Sequence, residues 1–223
     1  MDYPFHLNFS ERVISETHKL NWTPGPSPGV ERIILEREAP ESGRATSIVR
    51  YAQNTFFKEH AHHLGEEIFV ISGEFVDERG TYVAGTYIRN PPGSKHSPGS
   101  EKGCVLFVKL GHFDPGDLKS VTINTNREPW LPGHGGLQVM PLHHFKTEGT
   151  ALVKWPAGEK FLPHRHWGGE EIFVLSGQFV DEFSRYPVGT WIRSPHLSAH
   201  HPYVEEETII LVKTGHLLSF EQE

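Results

Sequence analysis

Apolar runs of four to seven residues, many alternating with polar positions, recur along the chain and are separated by Gly, Pro, Ser or Asp at spacings of about ten residues. SIVRY (47–51), EEIFVIS (66–72), EFVDE (74–78), TYIR (86–89) and CVLFVKL (104–110) are rich in β-branched and aromatic residues. ALVKW (151–155), EEIFVLS (170–176), QFVDE (178–182), TWIR (190–193) and TIILVKT (208–214) repeat the series. No long window has helical periodicity, apart from a short turn expected near the N-terminus. The pattern predicts an all-β chain built as a sandwich or barrel.

The two series are copies at a constant offset of 104 residues. Between 57–112 and 161–216, 29 of 56 positions are identical without a gap. Upstream, TSIVRYA (46–52) falls on TALVKWP (150–156), and Trp22 and Trp130 head looser openings rich in Pro and Gly. A repeat of this length is a domain rather than a solenoid unit. We therefore expect two tandem domains, 1–115 and 116–223, with Phe113 to Pro129 as the connector.

Composition narrows the class. The 223 residues can bury a core in either domain, and no apolar run approaches the ~20 residues of a membrane helix. The N-terminus has no signal-peptide pattern, so a cytoplasmic location is expected. A single cysteine, Cys104, excludes an intrachain disulfide and cysteine-based zinc fingers; it falls in an apolar strand and reads as a buried thiol. A net charge of −7 argues against a nucleic-acid partner, because phosphate neutralisation needs a basic face. The 16 histidines are the one composition feature that points to metal chemistry.

In HRHWGGEEIFVLSG (164–177), His164 and His166 are spaced to project from one face of a strand, and Glu170 follows a glycine turn that can fold it opposite them. His200 opens a later strand. The first copy supplies His60, His62, Glu66 and His96 at the same spacings. Three imidazoles and a carboxylate suit a divalent ion with open positions: iron, manganese, nickel, copper or zinc. One such histidine means little, but four candidate ligands at fixed spacing, present twice, favour a metal in each domain.

These stretches resemble the cupin superfamily. GEKFLPHRHWGGEEIFVLSG (158–177) matches the first cupin motif, G-x5-H-x-H-x3-E-x6-G, and GTWIRSPHLSAH (189–200) resembles the second, G-x5-P-x-G-x2-H. In the first copy Pro91, Gly93 and His96 fall in register. The wording is most similar to the cupin domain of ChrR-type zinc-binding anti-sigma factors, and also to acetylacetone-cleaving and dihydroxyacetophenone dioxygenases. The resemblance implies two β jelly rolls, each with one divalent ion inside, zinc or iron first and manganese or nickel as further options. Asn54 and Leu197 depart from the pattern by replacing glycines; a left-handed turn at 197 would strain leucine.

Two functions follow from the resemblance. One is a metal-dependent dioxygenase-type enzyme acting on a small diketone, enol or aromatic ketone; the other is a non-catalytic zinc-binding regulator of the ChrR type. The chain begins its first cupin unit near Trp22 without paired cysteines, so the sigma-binding module is not expected. A small-molecule ligand and a homodimer are expected, and no catalytic residue beyond the ligands is identified. Arg89 and Arg193 could hold a substrate anion, or pair with Asp77/Glu78 and Asp181/Glu182 to fasten the barrel. His63 and Trp167 differ between copies beside the metal motif and are expected to line unlike pockets. His196 and His201 compete with His200 as ligands. Glu67 and Glu171 are expected at the surface, and Tyr87 and Trp191 in the core.

Overall fold

The computed structural model describes residues 3–218, which are almost entirely β-structure. Among them no helix is long and apolar enough to cross a membrane. The expected N-terminal turn is a single 3-10 turn, Thr17–Lys19. The chain forms two compact units, 3–7 with 21–128, and 8–20 with 129–218.

In the first unit an antiparallel sheet runs in the order Val121–Asn124, Thr86–Asn90, Glu66–Asp77, Cys104–Leu110, Ala45–Tyr51, Val30–Arg37 and Thr23–Pro24. The long strand Glu66–Asp77 carries on to pair with Gly80–Val83, and the short pairs His60–His62 with Ser94–His96 and Thr55–Phe56 with Gly99–Ser100 make up the rest of the roll. The second unit repeats the plan, with sheet order Val13–Glu16, Thr190–Ser194, Glu170–Ser176, Thr208–Thr214, Glu148–Trp155, Gln138–Phe145 and Leu131–Pro132. Alternation sends Ile68, Val70, Ile88 and Leu106 into the first core; their repeats Ile172, Val174, Ile192 and Ile210 fill the second. Cys104 is buried in that first core, where desolvation pushes its thiol up to about 11, so it is an apolar filler rather than a nucleophile. Tyr87 and Trp191 are buried as expected.

The division differs from a cut at 115/116 because a strand is exchanged. Val121–Asn124, within the stretch expected to be a mere connector, pairs with Thr86–Asn90 of the first unit, in the register Val121↔Arg89. Val13–Glu16 pairs with Thr190–Ser194 of the second unit, in the register Val13↔Arg193. Each roll is thus closed by the strand that precedes the other repeat. Both strands supply the hydrogen-bonding partner that the exposed edge of the sheet would otherwise lack.

The outward face is buried where these segments cover it, which overturns the surface placement of Glu67 and Glu171. Both are nearly inaccessible. Glu67 lies 3.7 Å from Arg89, whose guanidinium also bonds Asp117 at 2.6 Å and stacks on Phe113. In the second unit His216 lies 3.2 Å from Glu171, and Arg193 stacks on Phe9 and donates to the Asn8 carbonyl. The tryptophans that head the repeats cap cations on the neighbouring strand, Trp22 over Arg50 and Trp130 over Lys154.

The turns at the two glycine replacements are left-handed. Asn54 has φ 57° where Gly158 has 82°, and Leu197 has φ 59° where Gly93 has 83°. Asparagine tolerates this region, whereas a leucine there costs about 1–2 kcal/mol. Leu197→Gly is expected to raise stability by about 1 kcal/mol in denaturant unfolding, since the leucine side chain is largely exposed. Gly93→Ala should lower it by a similar amount, although an added Cβ meets nothing within 4 Å. Unchanged midpoints in both variants would rule out backbone strain as the cause.

Candidate metal centres

Local pairing builds each histidine set. In the second unit His164–Arg165 pairs with Ala199–His200 and puts His164 opposite His200. His166 lies two residues on from His164, and Glu170 starts the next strand. Ligand atoms of His164, His166, Glu170 and His200 all lie within 4.8 Å of one another. The Glu170 Oε2 is 3.4 Å from His166 Nε2 and 3.6 Å from His200 Nε2.

Second partners orient the rings. The His164 Nδ1 lies 3.0 Å from the Leu162 carbonyl, the His166 Nδ1 3.1 Å from the Ser198 hydroxyl, and the His200 Nδ1 3.5 Å from Asp181. Holding Nδ1 in this way leaves the Nε2 atoms for a common ion. His166 Nε2 and Glu170 Oε2 are buried with no hydrogen-bond partner. Converging nitrogens and an orphaned carboxylate oxygen fit a divalent cation, which would satisfy all of them together.

The first unit is similar but not identical. His60, His62 and His96 form a compact group, with the His62 and His96 Nε2 atoms 2.9 Å apart. Glu66 Oε2 lies 3.4 Å from each of these two nitrogens, yet outside the group that includes His60. Asn90 donates to that oxygen at 3.0 Å; Ser194 stands at the matching position in the second unit. His60 Nδ1 is 3.1 Å from the Lys58 carbonyl. The second set is therefore the more complete, although His196 and His201 made it the more ambiguous in sequence. His196 is occupied elsewhere, accepting from the Gly168 amide at 2.9 Å and meeting the exposed Trp167 edge-on. The exposed His201 uses its amide to cap Glu182.

Arg89 and Arg193 do not reach the histidines. Glu66 pairs with Asn90 across the sheet and Glu67 with Arg89, so strand alternation turns the arginine to the opposite face. The pairing considered for Arg89 with Asp77 is also replaced. Asp77 is held by Arg79 and by Tyr82 at 2.8 Å, and Asp181 by Arg12 and by Tyr186 at 2.8 Å. These aspartates, expected to pair with the arginines, instead face the closing histidines, Asp181 at 3.5 Å from His200 Nδ1 and Asp77 at 3.6 Å from His96 Nδ1; the repeated FVDE with tyrosine five positions after its aspartate was the trace of that role in the sequence. His63 lines a cleft of about 1170 Å³ in the first unit that reaches His60, His62 and Glu66.

Burial decides the protonation states. Desolvation, followed by the neighbouring imidazoles, lowers His62 to about 4 and His166 to about 3. Desolvation raises Glu66 and Glu170, with only partial opposition from His96 and His200. For Asp181 burial also raises, but hydrogen bonds from His200, Arg12 and Tyr186 outweigh it and hold the carboxyl well below its usual range. The His62 and His166 rings are thus held in the neutral form that ligates, and burial favours the protonated form of the two carboxyl groups, so a proton competes with a metal there. Metal affinity is expected to fall as pH is lowered across the range in which the protein stays folded, with up to about one proton released per ion bound. Calorimetric titration in two buffers of different ionisation enthalpy counts those protons; a count near zero throughout this range would exclude a protonated carboxyl in the free site.

The sequence matches the ChrR cupin-like domain twice, over residues 10–114 and 118–218. No protein of curated function matches it. A crystal structure from Nostoc punctiforme, described as a candidate dioxygenase, superposes with TM-score 0.80 at 15% identity, covering 94% of this chain and 84% of that one. Escherichia coli Ylba gives 0.71 at 17% identity, covering 94% and 93%. Bacillus subtilis oxalate decarboxylase, studied for its Mn(II) centres, gives 0.64 at 16% identity, covering 96% and 79%. These likenesses establish a shared two-domain β-roll fold.

Proposed function

The chain belongs to the ChrR cupin-like family, and from that premise we propose that it is a metal-dependent dioxygenase-type enzyme acting on a small diketone, enol or aromatic ketone. The observation that carries this reading is the cleft of about 1170 Å³ opening onto His60, His62 and Glu66, which is far more space than an ion needs. His60, His62, His96 and Glu66 would hold the ion of the first unit, and His164, His166, His200 and Glu170 that of the second. Such an ion supplies Lewis acidity and, if iron, a route to oxygen. The protein's own part is orientation and exclusion of water. The Lys58 carbonyl sets the His60 ring, Asp77 lies 3.6 Å from His96 Nδ1, Asn90 holds the Glu66 carboxylate, and Ile68, Leu106 and Val108 give the cleft apolar walls.

The ligand is a small molecule rather than a nucleic acid, in keeping with the net charge of −7. Iron-loaded protein is expected to consume oxygen with at least one member of a panel of diketones and aryl ketones, and to lose that uptake on Glu66→Ala. No uptake with any member would end the proposal. The family likeness also supports a zinc-binding regulator; elemental analysis of the native protein showing zinc alone, at about two per chain, would favour it.

A further inference from the structure

The cleft of the first unit has a second chemical feature besides the histidines. Across the sheet Glu66 pairs with Leu110, Leu110 with Ala45, and Ala45 with Arg37. Three strand spacings place Arg37 about 14 Å from Glu66, backbone to backbone, further along the same sheet, and both residues line the cleft. Arg32 lies on the same strand as Arg37 and also lines the cleft. The strands between Glu66 and Arg37 contribute Ala45, Val49, Val108 and Leu110 to the cleft, together with Ser47, whose buried hydroxyl has no hydrogen-bond partner.

Two guanidinium groups share one carboxylate here. Arg32 makes a two-point pair with Glu41 at 2.5 and 3.2 Å, whereas Arg37 reaches it only at 3.5 Å. Arg32 Nε is buried and has no partner. Glu41 is half exposed and sits in the 38–44 turn, so it can leave without disturbing the sheet. Burial and the adjacent Arg32 both disfavour the charged form of Arg37, a cost that a second anion would relieve.

The second unit shows that this arrangement is not a requirement of the fold. Register places Val139 where Arg32 stands, His144 where Arg37 stands and Ala151 where Ser47 stands. An equivalent barrel closes without them.

We propose that the first unit's cleft takes an elongated, mainly apolar ligand carrying an anionic group at one end, which Arg32 and Arg37 bind in place of Glu41 while the other end meets the histidine set. This identifies the substrate class of the function proposed above and rests on that reading. A terminal carboxylate presents the planar pair of oxygens that Arg32 already accepts from Glu41.

The test uses the full-length protein loaded with zinc, which does not turn over a diketone oxidatively. Calorimetry compares 1-phenylbutane-1,3-dione with its ring 4-carboxylate. The carboxylate is expected to bind about ten-fold tighter or better, a preference that weakens with added salt. In Glu41→Gln, an exposed substitution, the preference should grow several-fold because the internal competitor is gone; in Arg32→Gln it should collapse toward one. Equal affinity of the two compounds, or a preference unmoved by Glu41→Gln, overturns the anion subsite and leaves the proposed function standing. Binding of neither compound overturns both.

Discussion

Replacing His62 and His166 together by alanine is expected to reduce bound metal from about two ions per chain to almost none, while either change alone removes about one. Each ring is central to its set: His62 Nε2 lies 2.9 Å from His96 Nε2 and 3.4 Å from Glu66, and His166 Nε2 lies 3.4 Å from Glu170. Loss of a supporting partner of a ligand typically weakens a metal site by about 10–100-fold, so loss of the ligand itself should weaken it by more. The folded state should survive, because burial keeps both rings neutral and their removal strands no charge in the interior. Elemental analysis, with circular dichroism to confirm folding, measures both points. A folded double variant that keeps two ions would remove these histidines from the ligand set.

The second large effect concerns the exchanged strand. Produced alone, residues 129–223 are expected to be insoluble or unfolded, and a peptide of residues 8–20 added in trans should restore the roll. Without that segment Thr190–Ser194 becomes an open edge, and the buried Trp191 and Arg193 lose their cover. Asp181 also loses Arg12, which bonds it at 2.5 Å. Breaking a fully buried pair costs about 3–5 kcal/mol; Arg12 is partly exposed, so Arg12→Ala should cost about 2–3 kcal/mol. The contribution has a sign in pH. The Asp181 carboxyl is held low in the folded protein, so its stabilisation is present above the unfolded value near about 4 and disappears as pH falls through the folded one. Because Asp181 also faces His200, Arg12→Ala should weaken metal binding in the second unit and leave the first, where Arg79 does this work, unaltered. Equal loss at both sites would show that the arginine acts through global stability.

Much of the site was legible because its spacing is local. His164 and His166 share a strand face, Glu170 follows one glycine turn, and the closing histidine lies on the strand that pairs with the first two. The copy at an offset of 104 made the pattern hard to attribute to chance. Glu67 and Arg89 were harder. Alternation correctly turned Glu67 away from the metal, but no spacing reveals that Asp117 and Phe113 then bury the outward side.

The sequence by itself determined the duplication, the succession of strands, the buried Tyr87 and Trp191 and the eight candidate ligands, since each depends on residues within one strand or one turn of each other, or on their exact repetition. Tertiary structure alone decided the exchange of Val13–Glu16 and Val121–Asn124, the grip of Arg12 on Asp181 across 169 positions, and the placing of Arg32 and Arg37 in the same cleft as Glu66. A four-residue strand has the same alternation whichever edge it completes. Which edge it joins is set by the closure of the whole roll, and that is not written in any local pattern.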